Sequence, residues 1–137
     1  MINLILGANG SGKTQKLIEM ANNELKTTDG LIVYIDRSDN HRREIDVQIR
    51  FLNAKEVGID NRDKFFGFIS GVLNGNYDIN RVYVDNVYRI VGAKCSGCVE
   101  ALLNIIKPVA NEVEIYMTMN AEDVEGICLD GINVINL

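Results

Sequence analysis

An apolar run, Ile2-Asn3-Leu4-Ile5-Leu6, leads directly into Gly7-Ala8-Asn9-Gly10-Ser11-Gly12-Lys13-Thr14, and an amphipathic pattern opens near Lys13, with Leu17, Ile18, Ala21 and Leu25 near one face. No other stretch constrains the fold as strongly, because the spacing G-x-x-x-x-G-K-[ST] ties a buried strand to a helix N-terminus through a tight loop. Glycines at 7, 10 and 12 open backbone conformations that a Cβ would close. In those conformations successive N–H groups can face an anion, and the positive end of the helix dipole adds to the attraction. In such a loop Lys13 can reach the β and γ phosphates of a nucleotide and the Thr14 hydroxyl can ligate Mg²⁺. The candidate binding residues are Gly7, Ala8, Asn9, Gly10, Ser11, Gly12, Lys13 and Thr14. The plain alternative is a glycine turn that happens to precede Lys-Thr, which leaves the flanking strand and helix unexplained.

At 137 residues the chain fits one domain, 1–137, long enough to bury a sizeable core. No apolar run approaches the ~20 residues of a membrane span, and the N-terminal run is the loop strand itself, without a basic segment or cleavage site. The expectation is a soluble, cytoplasmic protein with no membrane partner. A net charge of −5 argues against broad attraction to nucleic-acid backbones. Arg37, Arg42, Arg43, Arg50, Arg62 and Lys64 lie among acids in the first half, and no Lys or Arg follows Glu112. That leaves room for a local basic surface, with simple solvation the plainer reading. Cys95, Cys98 and Cys128 make an odd count that fits free thiols in a reducing compartment. Cys95-Ser96-Gly97-Cys98 has the spacing of half a zinc knuckle, which Cys128 and the lone His41 could complete, or of a redox pair. Buried or incidental thiols are the favoured reading.

Along the chain, Asp29-Gly30 makes a turn and Leu31-Ile32-Val33-Tyr34-Ile35 follows as an uninterrupted apolar run, as in a parallel strand covered on both faces. Asp36 ends it, on the sheet edge where open parallel sheets bind ligands, so Asp36-Arg37-Ser38-Asp39 is either a binding segment or a polar loop. In 44–52 the alternation of Ile45, Val47, Ile49 and Phe51 favours an extra edge strand, although Ile45, Ile49 and Leu52 also suit a short helix. Phe65, Phe66, Ile69, Val72 and Leu73 predict a helix capped at Asp60 or Asn61 and ended by Asn74-Gly75-Asn76. Arg81-Val82-Tyr83-Val84-Asp85-Asn86 reads as a short strand ending in an acid, which makes Asp85 the candidate Mg²⁺ acid beside Thr14, with Asp36 in reserve. Residues 87–94 read as a connecting loop, or as a segment touching a partner or substrate. Ser96 opens a helix to about Lys107, closed by Pro108. Asp130-Gly131, between 127–129 and 132–135, signals a C-terminal hairpin.

At these residues the chain resembles the P-loop NTPases: residues 7–14 look like a Walker A motif and 82–85 like a Walker B strand. Strand candidates near 2–6, 31–35, 81–85, 113–118 and 132–136 are similar to the minimal five-stranded core of the RecA-like and AAA-like branch. The resemblance implies an α/β three-layer sandwich with a mostly parallel sheet, ATP and Mg²⁺ as cofactors, Lys13 and Asp85 as catalytic residues, and Thr14 and Asp85 on the metal. It also implies a γ-phosphate sensor at Thr118 or Asn120, ending the fourth strand. One departure is Asn86, where many hydrolytic members carry a Glu: an amide orients water without accepting its proton, so hydrolysis should be slow. Glu100 and Glu122 are other available acids, and Arg37, Arg62 and Arg89 are candidate arginine fingers from a neighbouring subunit. The expected function is a slow Mg²⁺-dependent ATPase, or an ATP-dependent switch, acting with a protein partner or by self-association. One alternative is a small-molecule kinase acting on a nucleoside or nucleotide. It rests on a weaker similarity to thymidine kinases in the glycine loop, the Asp36-Arg37 turn and the Cys-x-x-Cys pair, whose second zinc pair is missing here. Another is a non-catalytic nucleotide-binding adaptor. A GTPase is disfavoured by the absence of Asn-Lys-x-Asp.

Overall fold

The computed structural model describes residues 1–92, 96–110 and 112–137. Its strands are β1 (Ile2–Gly7), β2 (Leu31–Asp36), β3 (Arg50–Asn53), β4 (Ile79–Val84), β5 (Glu114–Asn120) and β6 (Asn133–Asn136). They form one sheet in the order β3-β2-β4-β5-β1-β6, and every pairing is parallel. The helices are α1 (Lys13–Glu24), α2 (Arg62–Gly75), α3 (Val87–Val91) and α4 (Ser96–Ile106), with short 3₁₀ turns at Arg42–Glu44, Lys107–Ala110 and Ala121–Val124.

Strand periodicity divides the core. Leu4, Leu6, Val33, Ile35, Val82, Val84, Ile115 and Met117 face one side of the sheet, where Phe65 and Ile69 of α2, Ile90 of α3 and Leu102, Leu103 and Ile106 of α4 cover them. Ile5, Ile32, Tyr34 and Tyr83 face the other, under Leu17, Ile18 and Ala21 of α1. Each fully buried Leu, Ile or Phe contributes roughly 1.5–3 kcal/mol relative to exposure, so both faces are held by burial. The Asn61 side chain caps α2 by accepting the Lys64 N–H at 2.8 Å, the position the sequence offered for it.

Four aromatic residues form a row across the α1 face, since Phe51 pairs with Tyr34, Tyr34 with Tyr83 and Tyr83 with Tyr116 in the sheet register. Tyr83 and Tyr116 stack at 4.8 Å between centroids, and Tyr34 and Phe51 at 5.9 Å. Two residues beyond each of the three tyrosines, on the same face, come Asp36, Asp85 and Thr118. The strand register therefore builds a polar row directly above an aromatic one, at the carboxyl ends of three adjacent strands.

Several expectations are corrected. The five-stranded core with an added edge strand is present, making six strands among the described residues, but every pairing is parallel, where the expectation was a mostly parallel sheet. The edge strand exists but starts at Arg50; Ile45 and Ile49 are buried through a turn-rich segment while Val47 is 97% exposed, so the alternation there marks packing of two residues four apart rather than a strand. The C-terminal hairpin is absent. Asp130-Gly131 does turn, with Gly131 at φ +78°, but the chain enters β6, which pairs parallel with β1. Ile127 and Leu129 instead pack on the helix-covered core as the chain returns, which keeps them from an exposed edge. The start of the expected 87–94 loop is helical, with Val87, Ile90 and Val91 buried.

Candidate functional site

The carboxyl ends of β1, β4 and β5 and the N-terminus of α1 open onto one cleft of about 380 Å³, whose lining includes Gly10, Gly12, Lys13, Thr14, Asp85 and Asn120. Within the loop Gly10 (φ +79°) and Gly12 (φ +89°) hold left-handed conformations with open space where a Cβ would stand. Conformation, rather than crowding, therefore dictates glycine at these two places. At Gly7 the restriction is space, since a Cβ would run into the Ser11 side chain.

The loop closes on itself through one turn, with the Ser11 N–H donating to the Ala8 carbonyl at 3.1 Å. Helix α1 then begins with Gly12 as its N-cap and no side chain capping it. The N–H groups of Lys13, Thr14 and Gln15 have no intrahelical acceptor by helix geometry, because the first such bond is Lys16 N–H to Gly12 O at 2.9 Å. They point from a helix N-terminus, where negative charge is favoured. The Lys13 ammonium donates to the carbonyls of Gly7 (3.0 Å) and Ala8 (2.8 Å) and to Asn120 Oδ1 (3.1 Å), which holds it over the loop.

Asp85 follows β4 directly and is only 5% exposed. Its Oδ2 accepts the Thr14 hydroxyl at 2.9 Å and its Oδ1 accepts the Thr118 hydroxyl at 2.7 Å. Thr118, 1% exposed, also accepts the Asn86 N–H at 2.6 Å. Thr14 and Asp85, predicted from the sequence as a pair, thus meet. Asn86 is the one described non-glycine residue at positive φ (52°), a conformation Asn tolerates better than most. It lines the cleft and occupies the N-cap position of α3, without a side-chain capping bond.

Beside this cleft, sharing Thr14, His41, Asp85 and Asn86, lies a second of about 260 Å³ walled by Asp36, Arg37, Ser38, Asn40, Lys55 and Arg89. Burial, and next the neighbouring Asp85 carboxylate, push the Asp36 carboxyl up from its ordinary range. Burial likewise raises the Tyr34 phenol, helped by Asp85 and Asp36, and its hydroxyl has no hydrogen-bond partner among the described residues. At the rim His41 Nδ1 lies 2.6 Å from Glu44 Oε2, and Gln15 Nε2 donates to Glu44 Oε1 at 3.2 Å. The His41 contact first, and Gln15 second, hold the Glu44 carboxyl below its usual range.

No family model and no curated protein matches this chain.

Of the other sequence candidates, Asn120 reaches the cleft through Lys13 and also caps the 3₁₀ turn after β5 with Asp123. Arg37 and Arg89 wall the second cleft, whereas Arg62 sits at the start of α2 beside Asp63, lining neither. Glu100 and Glu122 are exposed and line neither. His41 is engaged with Glu44 and Cys128 is exposed, and no cluster of three or more His, Cys, Asp or Glu suited to a metal occurs among the described residues. The expected pair of Cys95 and the Cys98 side chain lies outside the described residues. The sequence reading missed Lys55 and Gln15. It also passed over a repeated signal, Tyr34-x-Asp36, Tyr83-x-Asp85 and Tyr116-x-Thr118, which marks three adjacent strands, β2, β4 and β5, that feed the two clefts. No described helix is long and apolar enough to cross a membrane.

Proposed function

We propose that the chain is a P-loop protein that binds ATP with Mg²⁺ and turns it over slowly, acting as an ATPase or an ATP-dependent switch. The observation that carries the reading is the convergence of three independent features on one cleft. These are an uncapped helix N-terminus with glycines at φ +79° and +89°, a lysine held over that loop, and the hydroxyl–carboxylate pair Thr14–Asp85. The loop and helix donors suit phosphate oxygens. Thr14 and Asp85 suit Mg²⁺, which keeps several waters and needs only one or two protein oxygens beside those of the phosphates, so the lack of a larger acidic cluster among the described residues is no obstacle. When bound, the metal would neutralise charge on the terminal phosphates.

The protein's own residues supply the rest. Lys13 would exchange its carbonyl partners for phosphate oxygens while Asn120 keeps it oriented. Thr118 fixes the Asp85 carboxylate and, by accepting the Asn86 N–H, the backbone of Asn86, whose side chain would stand where an attacking water is oriented in this reading. Asn86 can orient that water and cannot take its proton, which is the reason for slow turnover. A protein partner or a second copy would accelerate it by supplying a cation. The kinase reading is favoured by one observation, the second cleft beside Thr14 and Asp85. Phosphate release from Mg·ATP by wild-type protein, compared with Lys13→Ala, tests the main reading: slow release lost in the variant supports it, and equal release from both refutes it. Localisation in the cytoplasm remains part of this proposal.

A further inference from the structure

The three cations of the second cleft come from three unrelated places. Arg37 follows β2, Lys55 follows β3 and Arg89 lies on α3, and the parallel pairing of β3 with β2 and of β2 with β4 brings all three segments to the same end of the sheet. All three side chains are exposed, and none makes an ion pair with a described acid. Several other cations of the chain do, as Arg42 does with Asp39, Lys64 with Asp60 and Arg81 with Glu24. The carboxylates facing the three are Asp36 and Asp85. Asp85 is already engaged by two hydroxyls, and Asp36 accepts the Ser38 N–H at 3.4 Å.

We propose that this cleft is a second ligand site that takes a small phosphomonoester, held by Arg37, Lys55 and Arg89 next to the terminal-phosphate end of the nucleotide cleft. Two arginine forks and an ammonium suit a dianion with several acceptor oxygens better than a neutral molecule, since guanidinium groups pair bidentately with phosphate. The volume, about 260 Å³, admits a sugar phosphate. The shared wall of Thr14, Asp85 and Asn86 sets the two ligands side by side. The position beside a terminal phosphate rests on the nucleotide reading; the site itself does not.

The test is calorimetric titration of the full chain with ribose 5-phosphate, with ribose as neutral control, in Mg²⁺ and a saturating non-hydrolysable ATP analogue. The expected result is one equivalent of ribose 5-phosphate bound, no binding of ribose, and at least tenfold weaker binding in Lys55→Ala and in Arg89→Ala. Both variants change only exposed residues, and their affinity for the analogue should stay within twofold of wild type. Lys13→Ala should lose the analogue and keep ribose 5-phosphate. The proposal is overturned if wild type takes the analogue but not ribose 5-phosphate, or if neither cation substitution weakens sugar-phosphate binding. It is overturned as well if both substitutions weaken the analogue as much, because the cations would then grip the nucleotide. If wild type binds ribose 5-phosphate through Lys55 and Arg89 but no ATP analogue, the second site stands and the nucleotide reading falls.

Discussion

Thr118→Val removes a hydroxyl that does two jobs while leaving the side-chain volume almost unchanged. The hydroxyl donates to Asp85 Oδ1 at 2.7 Å and accepts the Asn86 N–H at 2.6 Å, at a residue only 1% exposed. Without it a buried carboxylate oxygen loses a charge-assisted bond, and a backbone donor is left unpaired. Leaving one buried group unsatisfied costs about 1–3 kcal/mol, and bonds to charged groups lie toward the upper end. The two losses together come to about 3 kcal/mol, with little cavity cost because valine fills the space. For a chain of this size each kcal/mol shifts the midpoint by about 3–5 °C, so Tm should fall by about 10 °C. Urea unfolding followed by far-ultraviolet circular dichroism measures the loss directly. Thr118→Ser keeps the hydroxyl and should cost about 1 kcal/mol, for the lost methyl. A loss below 1 kcal/mol in the valine variant, or equal losses in the two variants, would refute the network.

Tyr34→Phe should stabilise the fold by up to about 1 kcal/mol, since it deletes a buried hydroxyl without a partner; a loss of 1 kcal/mol or more in urea unfolding would show that the hydroxyl is satisfied. The depressed Glu44 carboxyl contributes stability above its unfolded pKa that disappears as pH falls through the folded value. Since His41 is the first cause, His41→Ala should move the Glu44 titration upward toward its ordinary range, as read by carboxyl carbon NMR, and an unmoved midpoint would contradict the assignment.

The parts of the site legible in the sequence are the local ones. Strand, glycine loop and helix follow one another within 24 residues, so the positions of Gly10, Gly12, Lys13 and Thr14 need no knowledge of the rest of the chain. Asp85 was legible because an acid ending a short β-branched run is itself a local pattern. What stayed hidden depends on which strands pair. Lys55 carries no signal of its own and reaches the second cleft because β3 adds to the edge of β2. The Tyr-x-Asp and Tyr-x-Thr strand ends become one row only once the register sets Tyr34 beside Tyr83 and Tyr83 beside Tyr116. The hairpin expectation failed for the same reason. The turn at Asp130-Gly131 is local and real, but its following strand pairs with the free edge of β1, formed more than a hundred residues earlier.

The measurement that bears most directly on the central claim is binding of Mg·ATP to the wild-type chain, by calorimetry, beside Lys13→Ala and Asp85→Asn. The account predicts one bound nucleotide, binding lost or weakened at least tenfold in the Lys13 variant, and in the Asp85 variant a loss of the Mg²⁺-dependent share of the affinity only. Failure of the wild type to bind any nucleoside triphosphate, or binding indifferent to both substitutions, would contradict it.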